Sequence, residues 1–136
     1  MKGTSPRGRT LEEDQEMKSA LSRSEKNRAE NLMIVDLLRN DVGKIARTGT
    51  VKVSKYFNIE KYDTVFQATS TIRASLRPGW TIAEIMRSLF PSGSVTGAPK
   101  IRTMQIIRET ETEPRGIYTG AIGFVSPKRR SVFNVA

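Results

Sequence analysis

The chain has no cysteine and no histidine. The first absence excludes disulfides, a thiolate nucleophile and zinc–thiolate sites, and the second removes the commonest general base and metal ligand. Any chemistry therefore rests on Lys, Glu, Asp, Tyr, Thr, Ser and backbone groups. Aromatic residues are sparse, at one Trp, three Tyr and five Phe. Basic side chains are accordingly not interleaved with rings of the kind that stack on nucleic-acid bases. No apolar run approaches the roughly 20 residues of a membrane-spanning helix. Met1 is followed by Lys2, Gly3 and Thr4 rather than by a charged leader and an apolar stretch. Neither a signal peptide nor a membrane anchor is expected.

What the chain does carry is positive charge, +9 in 136 residues. Long-range steering of this kind attracts phosphate backbones and small dicarboxylates alike, so charge by itself names no partner. The densest cluster, Lys128, Arg129 and Arg130 after Pro127, falls between two strand-like runs and reads as a solvated hairpin tip. A basic nucleic-acid-binding module is the non-enzyme alternative, and only the charge supports it. Length and a hydrophobic content of 37% fit one domain or a piece of one.

Along the chain, residues 1–9 are punctuated by Gly and Pro and read as a loop. A polar, Glu-rich helix is expected over residues 11–21. A capping box at Ser22 and Glu25 should open a second helix running to residue 38. Ala29, Leu32, Met33, Ile34, Val35, Leu37 and Leu38 make that helix apolar nearly all round, which predicts burial on most sides of its C-terminal half. Gly43 and Gly49 bracket a turn. Val51 and Val53 alternate with Lys52 and Ser54 as a half-buried strand would, and a second strand is expected over residues 64–76. Thr81 with Glu84 forms another capping box, followed by Ile82, Ile85, Met86, Leu89 and Phe90 at helical spacing. Residues 91–97 read as a small-residue loop. Pro99 then starts a helix to about residue 110 with Ile101, Met104 and Ile107 inward. Residues 117–125 and 132–136 read as strands joined by the basic turn. This order of elements predicts an α+β fold with antiparallel pairing.

Three places have chemical potential of their own. Residues 92–98 lead small side chains into a helix start, where free N–H groups favour an anion such as a carboxylate; an ordinary helix entry needing close packing is the alternative. Tyr118 and Gly120 lie two apart on the expected strand and so face the same way, offering a phenolic donor beside a position open to close approach, or simply a core tyrosine. Glu30 sits within the apolar helix, where a carboxylate needs a metal or a salt bridge to Lys26 or Arg28. Both readings of Glu30 stay open.

Four stretches, taken together, resemble the chorismate-utilising enzymes, the superfamily of anthranilate, aminodeoxychorismate, isochorismate and salicylate synthases. They are Lys2-Gly3-Thr4 with Arg7-Gly8, then Arg28-Ala-Glu-Asn-Leu-Met-Ile-Val-Asp-Leu-Leu-Arg-Asn-Asp41, then Phe90-Pro-Ser-Gly-Ser-Val-Thr-Gly-Ala-Pro-Lys100, then Arg115-Gly-Ile-Tyr-Thr-Gly-Ala-Ile-Gly123. Their order and spacing match across essentially the whole chain. The resemblance implies a fragment of that family's fold, antiparallel sheets with flanking helices, in which residues 1–136 are a partial chorismate-binding catalytic domain lacking its N- and C-terminal parts. It further implies that Gly3, Thr4, Thr96, Tyr118 and Gly120 bind substrate, with Tyr118 at the ring carboxylate. Glu30 is implied as a Mg2+ ligand, the second carboxylate coming from a helix this chain does not contain. Asp36, Arg39, Asn40 and Asp41 match too and are expected to be structural ties.

Lys2 points within the superfamily to the aminodeoxychorismate synthase branch, whose members commonly carry Lys before Gly-Thr where anthranilate synthases carry Ala. The implied catalytic role of Lys2 is covalent: its neutral amine attacks C2 of chorismate as the C4 hydroxyl leaves, and ammonia then adds at C4 and expels the lysine. Ammonia would come from a glutamine amidotransferase subunit or fused domain, in the para-aminobenzoate branch of folate biosynthesis. No membrane or nucleic-acid partner is implied. The cytoplasm is the expected compartment, with organellar import left open. An anthranilate synthase component I fragment and an inactive truncated relative are the alternatives. Gln67 departs from the pattern, standing where many relatives place a His, and a carboxamide can hydrogen-bond but cannot protonate a leaving hydroxyl.

Overall fold

The structure, a computed structural model, describes residues 3–128 and 130–136. The chain divides into two compact units, Met1–Pro78 and Gly79–Ala136. No helix among the described residues is long and apolar enough to cross a membrane.

In the first unit a three-residue strand, β1 (Thr4–Pro6), precedes helices α1 (Leu11–Arg23) and α2 (Glu25–Ile45) and strands β2 (Lys52–Lys61) and β3 (Val65–Arg73). The Thr10 hydroxyl accepts from the Glu13 N–H while the Glu13 carboxylate accepts from the Thr10 N–H, so α1 starts in a capping box with Glu12, Glu13 and Asp14 in its first turn. The box expected at Ser22 and Glu25 does not form. Ser24 takes the extended backbone that breaks the helix, its N–H closing α1 on the Leu21 carbonyl and its Oγ accepting the Asn27 N–H at 3.3 Å to open α2.

Helix α2 runs seven residues past its expected end and passes through Gly43. Its buried residues, Asn31, Ile34, Val35, Asp41 and Ile45, lie on one continuous face. Burying Ile45 on that face offsets a mid-helix glycine that costs about 1 kcal/mol relative to alanine. Burial on most sides is not found: Leu32 and Met33 stay half exposed. Asp36 and Arg39 pair at 3.0 Å on the surface, and buried Asp41 meets Lys44 at 2.8 Å, the structural ties expected of them.

Residues read as a loop form β1, an edge strand antiparallel to β3 with Thr4 opposite Gln67, Ser5 opposite Phe66 and Pro6 opposite Val65. Central β3 completes the sheet order β1-β3-β2 and supplies the core residues Phe66 and Ala68. Strand β2 extends well beyond residue 54. Two register shifts, between Val53 and Lys55 and between Lys55 and Asn58, break its alternation, and Phe57 lies within the second at φ 47° with its ring buried. A bulge of this kind erases the period-2 pattern by which a strand is read.

In the second unit come α3 (Ile82–Leu89), α4 (Gly93–Thr96), α5 (Lys100–Thr110), β4 (Ala121–Val125) and β5 (Ser131–Val135). The Thr81 and Glu84 capping box forms as expected. The stripe of α3 is shallow, with Ile85, Met86, Leu89 and Phe90 half-buried and none fully so. The small-residue loop contains a helical turn, α4. Pro99 is the cap of α5 rather than its first residue. The inward face predicted for α5 is not observed. Ile101 is 77% exposed, Met104 is 40% exposed and Ile107 is half-buried, because the helix packing on α5 is the four-residue α4. The hairpin β4 and β5 pairs Ala121 with Val135 through Val125 with Ser131. Its basic tip is an exposed turn at Lys128 and Arg130; Arg129 lies outside the described residues. The strand expected from residue 117 begins only at 121, because Ile117, Tyr118 and Thr119 form a turn with Thr119 at φ 62°.

Candidate active site

The start of β1 is held by Gln67. The Gly3 carbonyl accepts two hydrogen bonds, from the Ala68 N–H and from Gln67 Nε2, each at 2.9 Å, and the Thr4 hydroxyl donates to Gln67 Oε1 at 3.0 Å. The Thr4 proton is thus directed at Gln67, and Thr4 Oγ1 turns acceptor lone pairs elsewhere. Gly3 needs its glycine twice over. Its φ is +97°, and a Cβ there would sit 3.3 Å from Ala68 Cβ and from Leu21 Cδ1. Lys2, the expected nucleophile, lies outside the described residues and joins directly to this pinned glycine. In the sequence Gln67 stands out only as a departure, because its hold on Gly3 spans 64 positions and joins a strand to residues whose Gly and Pro content predicts a loop.

A second clamp follows β1. Arg7 presents Nε and Nη2 to the two Asp14 carboxylate oxygens at 2.5 and 2.8 Å, donates Nη1 to the Tyr62 carbonyl at 2.8 Å, and lies over the Phe66 ring at 5.1 Å. The Gly8 N–H adds a bond to Asp14 at 3.1 Å. The Arg7 guanidinium holds the Asp14 carboxyl below its usual range, with the Gly8 bond assisting and burial opposing.

Glu30 sits half-buried on α2 beside Asn31, whose Oδ1 accepts from Ser70 Oγ at 2.6 Å. Among the described residues no group of three or more Asp, Glu, His or Cys side chains could hold a metal ion. Mg2+ commonly keeps several waters and uses one or two carboxylates with substrate oxygens. A single hard oxygen donor at Glu30 fits that chemistry, though it makes no cage by itself.

In the second unit, Thr96 ends α4 with its hydroxyl on the Ser92 carbonyl at 3.2 Å. It shares a cavity of about 420 Å³ with Met104, Ile107, Arg115 and Thr119. Arg115 forks onto Glu111 and donates to the Val95 carbonyl at 3.3 Å, tying α4 to the end of α5 and holding the Glu111 carboxyl below its usual range. Pro99 offers α5 no side-chain cap, which is compatible with either an anion-favouring entry or an ordinary helix start. Tyr118 and Gly120 are not strand neighbours. Tyr118 is 70% exposed in the turn, and a Cβ on Gly120 would meet the Ile117 carbonyl oxygen at 3.0 Å, so this glycine serves the turn's own backbone. Neither residue lines the cavity.

The sequence profile of chorismate binding enzymes matches residues 1–136. The chain is 53% identical over 126 residues to aminodeoxychorismate synthase of Streptomyces griseus, covering 93% of this chain and 17% of that protein. It is 48% identical over 124 residues to anthranilate synthase component 1 of Aquifex aeolicus, covering 91% of this chain and 25% of that protein. Among solved structures, anthranilate synthase component I from Streptococcus pneumoniae matches with a TM-score of 0.84 at 37% identity, over 99% of this chain and 33% of that one. The menaquinone-specific isochorismate synthase from Escherichia coli matches in fold, with a TM-score of 0.82 at 23% identity, over 98% of this chain and 30% of that one. The chain therefore spans a quarter or less of these two curated relatives.

Proposed function

We propose, since the chain belongs to the chorismate-binding enzyme family, that it forms part of an aminodeoxychorismate synthase, replacing the C4 hydroxyl of chorismate with an amino group from glutamine-derived ammonia. Its antiparallel sheets with flanking helices are those of the family's solved members. The observation that carries the finer reading is the run Lys2, Gly3, Thr4, whose last two residues are tied to β3 by Gln67.

In this reading the neutral Lys2 amine bonds to C2, the ring double bonds shift toward C4, and the C4 oxygen departs as water after taking a proton. Ammonia then bonds to C4, the double bonds shift back, and the C2–N bond to Lys2 breaks with its electron pair returning to the lysine. The net change exchanges hydroxyl for amine. Gly3 and Thr4 place Lys2, with Thr4 Oγ1 keeping acceptor lone pairs for the substrate, and on the second unit, taken by itself, the family resemblance assigns substrate contacts to Thr96, Tyr118 and Gly120, with Tyr118 at the ring carboxylate. Glu30 would hold Mg2+, which when bound supplies positive charge to the substrate carboxylate. Ammonia would be delivered by a glutamine amidotransferase subunit or fused domain. The cytoplasm is proposed for a bacterial host and an organelle for a plant one, after the chloroplastic designation of the rice and Arabidopsis thaliana relatives.

Anthranilate synthase is the second reading, favoured by the Aquifex aeolicus and Streptococcus pneumoniae relatives. Products separate the two. In the full-length protein supplied with chorismate, Mg2+ and ammonia, aminodeoxychorismate with its enolpyruvyl group intact is expected, whereas anthranilate and pyruvate would establish the alternative. Without ammonia, intact-protein mass spectrometry should find chorismate less one water on the Lys2 peptide. Lys2→Ala and Lys2→Arg should take no label and lose amination, since a guanidinium offers no neutral amine near pH 7. An unlabelled Lys2 together with an active Lys2→Arg enzyme would reject the covalent route.

A further inference from the structure

We propose that Gln67 is a positioning residue of this site: its carboxamide bolts Gly3 and Thr4 onto β3 and thereby sets where Lys2 is delivered, with no part in proton transfer. The inference rests on the reading of Lys2 as nucleophile. The carboxamide makes two bonds of opposite polarity across the β1 and β3 pair, donating to the Gly3 carbonyl at 2.9 Å and accepting from the Thr4 hydroxyl at 3.0 Å. Only one amide orientation serves. Turned over, it would set Oε1 against the Gly3 carbonyl, acceptor facing acceptor.

The clamp sits where the backbone most needs one. Strand β1 is three residues long and contains Pro6, which has no N–H to give. Gly3, just before it, has the widest conformational freedom of any residue type. Beyond Gln67, the Ala68 N–H adds a hydrogen bond to the same Gly3 carbonyl. Removing the carboxamide would leave a glycine swivel directly behind Lys2, and displacement of a reacting group by about 1 Å can cost on the order of a hundredfold in rate. A carboxamide is not an acid, so the proton that lets the C4 oxygen leave as water must come from another group or from solvent.

The test compares Gln67→Glu and Gln67→Met with native full-length protein, following the rate at which chorismate with Mg2+ labels Lys2 when ammonia is withheld. An ionised carboxylate still accepts from Thr4 but repels the Gly3 carbonyl, whereas the protonated acid donates to it. The ratio of labelling rates, Gln67→Glu over native, is expected to be down roughly tenfold or more at about pH 8 and to rise only as the introduced carboxyl takes a proton, toward about pH 5 and below. Gln67→Met should be low and flat over the same range. The introduced carboxylate also favours the Lys2 ammonium, so Gln67→Met, which adds no charge, is the arm that isolates the loss of the clamp. A merely structural role would lower melting temperature and yield without this pH dependence.

Hydrogen exchange at the Ala68 amide supplies a readout independent of chorismate. It should quicken in Gln67→Met well below the unfolding temperature, with the α1 amides unchanged. Native-like ratios at every pH together with native Ala68 exchange would overturn the proposal. If native protein takes no label, the reading of Lys2 fails instead, and Ala68 exchange alone decides whether Gln67 holds this segment. If Gln67→Glu does not fold, labelling and exchange in Gln67→Met decide.

Discussion

Asp14 shows how one side chain converts local chemistry into a pH response. It is nearly buried and takes the Arg7 fork and the Gly8 N–H, so its folded-state carboxyl titrates below the unfolded value. A depressed carboxyl means that the unfolded chain binds the proton more readily. The stability contributed is therefore complete above about pH 4 and is lost as pH falls through the lower folded value. Melting temperatures followed from neutrality to about pH 2 should show Asp14→Asn less stable than native near neutrality, with the two curves converging in acid. Curves that stay parallel would show that Asp14 ionisation is not linked to folding. Residue types at the candidate site were legible because they fall in recognisable runs: Gly3 and Thr4 after Lys2, Glu30 in its helix, Thr96 before Gly97. Gln67 was visible only as an exception, since its meaning depends on a strand pair between residues far apart in sequence.

At the scale of elements, capping was easier to read than length. Thr81 and Glu84 cap α3 as their spacing suggests, yet the break between α1 and α2 moved to Ser24 because that residue alone takes the extended backbone. Strand β2 is only partly legible in the sequence because its bulge turns Phe57 to positive φ and interrupts the alternation. Ser70 holds that bulge in place, receiving the Phe57 N–H at 3.0 Å and donating to buried Asn31 at 2.6 Å. One hydroxyl thereby joins β2, β3 and α2. Ser70→Ala leaves a backbone donor and a buried side-chain acceptor without their partner, each worth about 1–3 kcal/mol when unsatisfied. A loss of about 2 kcal/mol in chemical denaturation is expected, with Ser70→Thr retaining part of it. A loss under about 0.5 kcal/mol would indicate that water replaces the hydroxyl.

At the scale of the whole molecule, helix and strand periodicity located most elements but not the surfaces they cover, since burial depends on what lies opposite. The hairpin of β4 and β5 shows this most clearly. Ile122, Phe124 and Val132 lie toward one face and Val125 and Val135 toward the other, and all five are between 48% and 60% exposed. A strand apolar on both faces is the pattern of a sheet covered on both sides, and two strands alone are marginally stable in water. Helix α5 adds Ile101 and Ile106, also exposed. The curated relatives are several times longer than this chain. The 136-residue chain produced by itself is accordingly expected to bind a hydrophobic dye, to associate as its concentration rises in sedimentation runs, and to form no aminodeoxychorismate from chorismate, ammonia and Mg2+. Exposed apolar area of this extent favours association over a monomer. A monomer that unfolds cooperatively and aminates chorismate would overturn this expectation, and would mean that the exposed faces need no cover for the chemistry to run.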